Sequence, residues 1–249
     1  MHRFYIAPEN WNLDRLALDA DETHHALDVL RMEKGERAVV FNGRGVEATV
    51  EIAATGKRSV ELRRIQHAQT PPLRCRITLG QAIPKGKNMD LIVQKATELG
   101  AFAIAPLISE RTVVSYDSAE AKNKQAKWNA VAIEAAKQCG QNWLPAVGVP
   151  QTPKVFFDAK PRFDLMHIAS LQSDTLHLEK VLAEHEAQHR TRPSNVLVLV
   201  GPEGDFTPAE VSLARSFGCR PITLGPIILR TETAAIYCMS VLSYELLAG

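Results

Sequence analysis

The segment NVLVLV, residues 195–200, limits the fold of this chain more than any other stretch. Aliphatic residues follow one another there with no polar residue at alternate positions, so both faces of the strand must be covered. That is the pattern of a strand inside a parallel sheet with helices on either side. Its surroundings agree. From Cys75 onward, strand patterns at 75–82, 102–108, 164–169, 195–200 and 221–225 alternate with helical ones. Met89, Ile92, Val93, Ala96 and Leu99 share one helical face and Gly100 stops that helix. Further helices are expected over about 120–139 and 176–189, and Thr207-Pro208-Ala209-Glu210 reads as a capping box opening a helix that ends at Gly218. Thr231 or Thr233 opens the last one. Such βα alternation predicts an α/β domain built on a mostly parallel sheet.

The first seventy residues follow another rule. RFYIA (3–7), RAVVF (37–41), VEATVEIA (46–53) and SVELRRIQ (59–66) are strand candidates, the last two with period-two alternation. A helix is expected at 22–32, with Ala26, Leu27, Val29 and Leu30 as its apolar core. Short strands at this spacing predict a small β-barrel. Thr70-Pro71-Pro72 then breaks the chain, which sets two domains, 1–70 and 73–249.

Composition bounds the rest. A chain of 249 residues that is 45% hydrophobic can bury a sizeable core. No apolar run approaches the ~20 residues of a membrane span, and the N-terminus lacks an apolar stretch of leader length. The four cysteines lie far apart, so a cytoplasmic protein with reduced thiols and no membrane partner is expected. Net charge is only +1, but residues 57–95 hold nine Lys/Arg against Glu61 and Asp90, +7 locally. That asymmetry suits either a phosphate-binding patch or solvated strand faces.

In an open parallel sheet ligands bind beyond the carboxyl ends of strands. Two loops hold that position: Gly201-Pro202-Glu203-Gly204-Asp205, and Gly225-Pro226-Ile227-Ile228-Leu229-Arg230. Glycines let backbone approach a ligand, prolines fix the loop shape, and each loop leads into a helix N-terminus with free N–H donors. Neither loop matches a dinucleotide or Walker A fingerprint. Two tight βα turns would look similar. His185-Glu186-Ala187-Gln188-His189 matches H-E-x-x-H, a zinc-hydrolase helix, but a third ligand is lacking and Pro193 soon follows. A solvated helix end accounts for it better, and no metal site is expected.

The two loops in context, VLVLVGPEGDFTPAE and LGPIILRTETAA, resemble those of the bacterial 16S rRNA methyltransferases that methylate N3 of a uridine, a family of the SPOUT superfamily. HHALDVLRMEKGE, PKGKNMDLIVQKATELGAFAIAPLISERTVV and EAAKQCGQN are similar to further parts of that family, so the resemblance covers nearly the whole chain. It implies an N-terminal PUA-like barrel that binds RNA, a SPOUT-type α/β domain with a C-terminal trefoil knot, bound S-adenosylmethionine, and a homodimer. The cofactor would lie among Leu171, Leu199, Gly201, Pro202, Glu203, Gly204, Leu224, Gly225, Pro226, Ile228, Leu229 and Thr231. Arg3, Arg31, Lys85, Lys87 and Arg111 would grip 16S rRNA, within the small ribosomal subunit. The chain departs from the family pattern at Asp205, usually Gly, and at Ile227, usually Arg; Lys137 and Gln141 stand where Glu and Arg are usual.

The implied chemistry needs a methyl donor aligned with a nitrogen and one proton removed. Arg230 is expected to stabilise the deprotonated uridine N3, with Glu232 or an ordered water as base. Two alternatives stand beside this: an RNA-binding protein with an inactive SPOUT fold, and a zinc hydrolase using His185 and His189.

Overall fold

The computed structural model describes residues 1–56, 59–112, 116–172 and 174–247. Lys57 and Arg58, which begin the basic stretch, lie outside them. The chain forms two compact units, one of Met1–Pro72 with Ile133–Leu144, the other of Leu73–Ala132 with Pro145–Gly249.

In the first unit, β1 (His2–Tyr5), β2 (Arg37–Phe41), β3 (Val46–Thr55) and β4 (Val60–Gln69) make one sheet in that order, β1 parallel to β2 and the others antiparallel. Two register shifts between β3 and β4 mark bulges, which bend and twist a strand pair. Phe4, Val40, Val50 and Ile52 fill its core. The helix expected at 22–32 is shorter: α1 (Ala20–His24), N-capped by the Asp19 side chain, passes into a π-type turn over His25–Val29. Arg31, with φ of +54°, ends it. This shift turns Val29 outward, 61% exposed, while Ala26 stays buried.

The second unit carries the parallel sheet. Its strands are β5 (Arg76–Ala82), β6 (Ala103–Leu107), β7 (Ala146–Val147), β8 (Leu165–Ala169), β9 (Leu176–His177), β10 (Asn195–Val200) and β11 (Arg220–Thr223). Helices α2 (Asn88–Glu98), α3 (Ser118–Cys139), α4 (Pro153–Asp158), α5 (Leu178–His189), α6 (Pro208–Ser216) and α7 (Thr231–Leu247) intervene, α3 ending within the residues of the first unit. The strand order is β7-β6-β5-β10-β8-β11-β9, every pairing parallel. Thus β10 fills a slot between β5 and β8, and β11 fills one between β8 and β9.

The uniformly apolar β10 is covered on both faces, as its pattern requires. Val196, Val198 and Val200 join the cluster with α2, α5 and α7, while Leu197 and Leu199 join Phe156, Phe206 and Val211 on the other side. The close packing needs Gly80 on β5, where a Cβ would stand 2.4 Å from Leu199 Cδ2. Thr207 and Glu210 form the capping box of α6. Among the described residues no helix is long and apolar enough to cross a membrane.

Candidate functional site

Adjacent parallel strands end together, so the loops that leave β8, β10 and β11 at their carboxyl ends converge. They enclose a cavity of about 680 Å³, within the ~300–1,000 Å³ usual for small-molecule sites. Val200, Leu224, Leu229 and Ala234 give it apolar walls, and Glu203, Asp205, Arg230 and Glu232 bring charge to it. Leu171, Gly201, Pro202, Gly225, Pro226, Ile228 and Thr231 also line it.

Two expected residues lie elsewhere. Leu199 points to the opposite face of the sheet and is 2% exposed; its neighbour Val200 faces the cavity instead. Gly204 is outside the lining, and its carbonyl accepts a hydrogen bond from the Arg111 guanidinium. Ser170, Gln172, Asp205 and Ile227, which belong to the expected loops, line the cavity too, as do Asn88, Ala169, Thr223 and Ala234, which lie outside them. Asn88 is far in sequence from the glycine loops, so no local pattern joins it to them.

The rim has unmet capacity. Among the described residues, no hydrogen bond within the protein uses the peptide groups of Pro226, Ile227, Ile228 or Leu229, whereas Gly225 N–H donates to Thr223 Oγ1 at 3.2 Å. Polar backbone without a protein partner needs water or a ligand. Ile227 and Ile228 are 74% and 75% exposed on the same loop. A flat, edge-polar molecule would meet both needs.

The charged groups are held unequally. Glu232, in the first turn of α7, accepts from Asn88 Nδ2 at 3.2 Å. Glu203 Oε1 accepts from the Lys85 backbone N–H at 2.9 Å, tying the loop before α2 to the loop after β10. Glu210 is buried and receives Ser109 Oγ, Glu110 N–H and Thr207 N–H, which anchors the loop after β6 at the start of α6. Arg230 is exposed, and its guanidinium makes no hydrogen bond or ion pair among the described residues; its carbonyl accepts from Ala234 N–H at 2.8 Å.

Of the cations expected on RNA, Lys85, Lys87, Arg111 and Arg31 are exposed. Arg3 is not available. Its guanidinium pairs with Glu47 at 3.0 Å, reaches Asn142, and lies 5.0 Å from the Phe41 ring centroid, with the side chain only 15% exposed. Edge strand β4 exposes Arg63, Arg64 and His67, which the charge count located only as part of a stretch. Lys137 is buried in an ion pair with Glu22 at 3.0 Å.

The His185 and His189 rings lie tilted by 33° with centroids 4.5 Å apart. Burial, then His189, holds the His185 imidazole below its ordinary pKa. Among the described residues no group of three or more His, Cys, Asp or Glu side chains is arranged to hold a metal ion.

Residues 71–243 match the RNA methyltransferase domain family, and residues 18–63 match the RNA methyltransferase PUA domain. The chain is 32% identical over 257 residues to ribosomal RNA small subunit methyltransferase E of Bacillus subtilis, covering 100% of this chain and 99% of that protein. Two solved structures are similar throughout. A Legionella pneumophila protein with bound cofactor SAM shares 33% identity at a TM-score of 0.86, covering 98% of this chain and 97% of that one. The ribosomal RNA small subunit methyltransferase E of Neisseria gonorrhoeae, bound to S-adenosyl methionine, shares 31% identity at 0.84, covering 98% of both chains.

Proposed function

This chain belongs to the RNA methyltransferase family, and on that premise we propose that it methylates N3 of a uridine in 16S rRNA of the small ribosomal subunit, with S-adenosylmethionine as donor. The observation that carries the reading is the cavity at the ends of β8, β10 and β11, with its unpartnered peptide rim beside apolar walls. These residues fit the cofactor: Leu224 and Leu229 would flank a purine ring, the 226–229 peptides would bond its edge, and carboxylates would face its positive charge. When bound, it supplies a methyl group already activated by a sulfonium. The protein's task is then alignment and one proton.

Arg230 stabilises the negative charge that develops on uridine N3, because its guanidinium stands at the cavity and has no other partner among the described residues. Glu232, oriented by Asn88, takes the proton. Since N3 lies on the pairing edge, the base must be unpaired or flipped out. Lys85, Lys87 and Arg111 in the second unit, and Arg31 with the exposed β4 cations in the first, bind RNA phosphates. A ribosomal substrate puts the protein in the cytoplasm.

Three finer features accompany the reading. The late filling of two sheet slots supports a trefoil-knotted C-terminal segment. The bulged β3–β4 pair supports a PUA-like barrel for residues 1–70, with the methyltransferase domain over 73–249. Helix α7 is apolar around most of its circumference yet exposes Tyr237 and Tyr244, which supports a homodimer through this domain.

Mapping of methylated nucleotides in rRNA from cells with and without the protein tests the proposal. One N3-methyluridine of 16S rRNA should vanish without it. Calorimetry should show S-adenosylmethionine binding, and its absence would refute the reading. Binding without methyl transfer to unmethylated subunits would favour an RNA-binding protein with an inactive fold.

A further inference from the structure

Asp205 is one of the carboxylates at the cavity but takes no proton in the scheme above, and it is tightly held. Its φ is +60°, the left-handed region that Gly, Asn and Asp enter most readily. Both carboxylate oxygens are used. Oδ1 accepts from Phe206 N–H at 2.7 Å, and Oδ2 accepts from Leu171 N–H at 3.3 Å. The second bond crosses 34 residues of sequence and joins the loop after β8 to the loop after β10, both at the cavity. Asp205 N–H also closes the turn onto Pro202 O at 2.9 Å. The carboxylate packs closely over Gly201, where a Cβ would meet Oδ1 at 3.0 Å and Asp205 Cα at 3.1 Å.

We propose that Asp205 is a positioning residue whose carboxylate straps the loop after β8 onto the loop after β10 and shapes that side of the cavity before any ligand enters. The proposal rests on the cavity's being the cofactor site. Leu171 itself is 65% exposed, so its own side chain adds little packing and the strap matters more. A carboxylate suits the task because two N–H donors need two acceptors. Asparagine tolerates the same backbone conformation but offers one acceptor, and its NH₂ would confront the other donor.

The test uses the full chain with Asp205→Gly and Asp205→Asn. Glycine removes both acceptors while relieving the positive φ, so the variant folds. In the ligand-free protein, exchange of the Leu171 amide should quicken by about five- to tenfold in the glycine variant, as for loss of one hydrogen bond. It should quicken by no more than that in the asparagine variant, which keeps one acceptor. S-adenosylmethionine binding, measured by calorimetry, should weaken by about fivefold on the same ground. Unchanged Leu171 exchange would overturn the strap; weaker binding alongside it would mark Asp205 as a direct ligand. Faster exchange with unchanged affinity would equally refute a role in shaping the cavity. If the wild-type protein bound no S-adenosylmethionine, the cofactor reading would fail, and exchange alone would decide the strap.

Discussion

Replacing His167 with phenylalanine should change the acid stability of the protein by an amount that can be worked out in advance. His167 lies on β8 opposite Val198 and Arg220, is fully buried, and finds no hydrogen-bond partner for either ring nitrogen among the described residues. Burial, then the Arg220 and His185 charges, pushes its pKa down to about 3. In the unfolded chain the imidazole titrates near ~6.5. Between those two values the unfolded chain binds a proton that the folded chain refuses. Stability is therefore full above the unfolded pKa and falls with pH through the window down to about 3. From pH 7 to pH 5 the loss is roughly 2 kcal/mol from this residue. Phenylalanine keeps a flat ring, slightly larger, with no proton to gain, and it removes two unsatisfied polar atoms, each costing about 1–3 kcal/mol. Urea unfolding at the two pH values should show a variant at least as stable as wild type at pH 7, with its advantage widening by roughly 2 kcal/mol at pH 5. His185 shifts in the same direction and is present in both proteins, so it cancels to first order. Parallel stability curves would refute the reasoning.

Arg230→Ala should lower methyl-transfer turnover by about 10²- to 10³-fold with S-adenosylmethionine affinity little changed; single-turnover methylation and calorimetry separate the two. Gly80→Ala drives a Cβ into Leu199 Cδ2, and its urea midpoint should report a loss of about 1–3 kcal/mol. Glu210→Ala leaves Thr207 N–H, Ser109 Oγ and Glu110 N–H without their acceptor; chemical denaturation should show a loss of about 2–3 kcal/mol.

Signals that are local in the chain were legible beforehand. The capping box at Thr207 and the uninterrupted β10 needed only neighbouring residues, and both stand as read. Uniform apolarity also concealed something: a strand buried on both sides carries no mark of which face is which. The resemblance implies Leu199 at the cofactor, and nothing in the strand's own pattern says that Val200 instead lines the cavity. Arg3 looked like a surface cation because Glu47 and Asn142 are remote in sequence. The two-residue strands β7 and β9 and the six-residue α4 are too short to show a period. Asp205 stands where the resembling family usually has glycine, and its φ of +60° is a physical reason for that preference.

The two filled slots bear on how the chain is made. A ribosome that has released the first 190 residues has released β5, β6, β7, β8 and β9, but neither strand that unites them. Until β10 emerges, β5 and β8 each present an open edge, the kind of surface that pairs with foreign strands. The last quarter of the chain is at once the keystone of the sheet and the source of two of the three loops around the cavity. A nascent chain that stalls there lacks this cavity as well as its closure, so a folded sheet and a formed cavity should emerge together, late in synthesis.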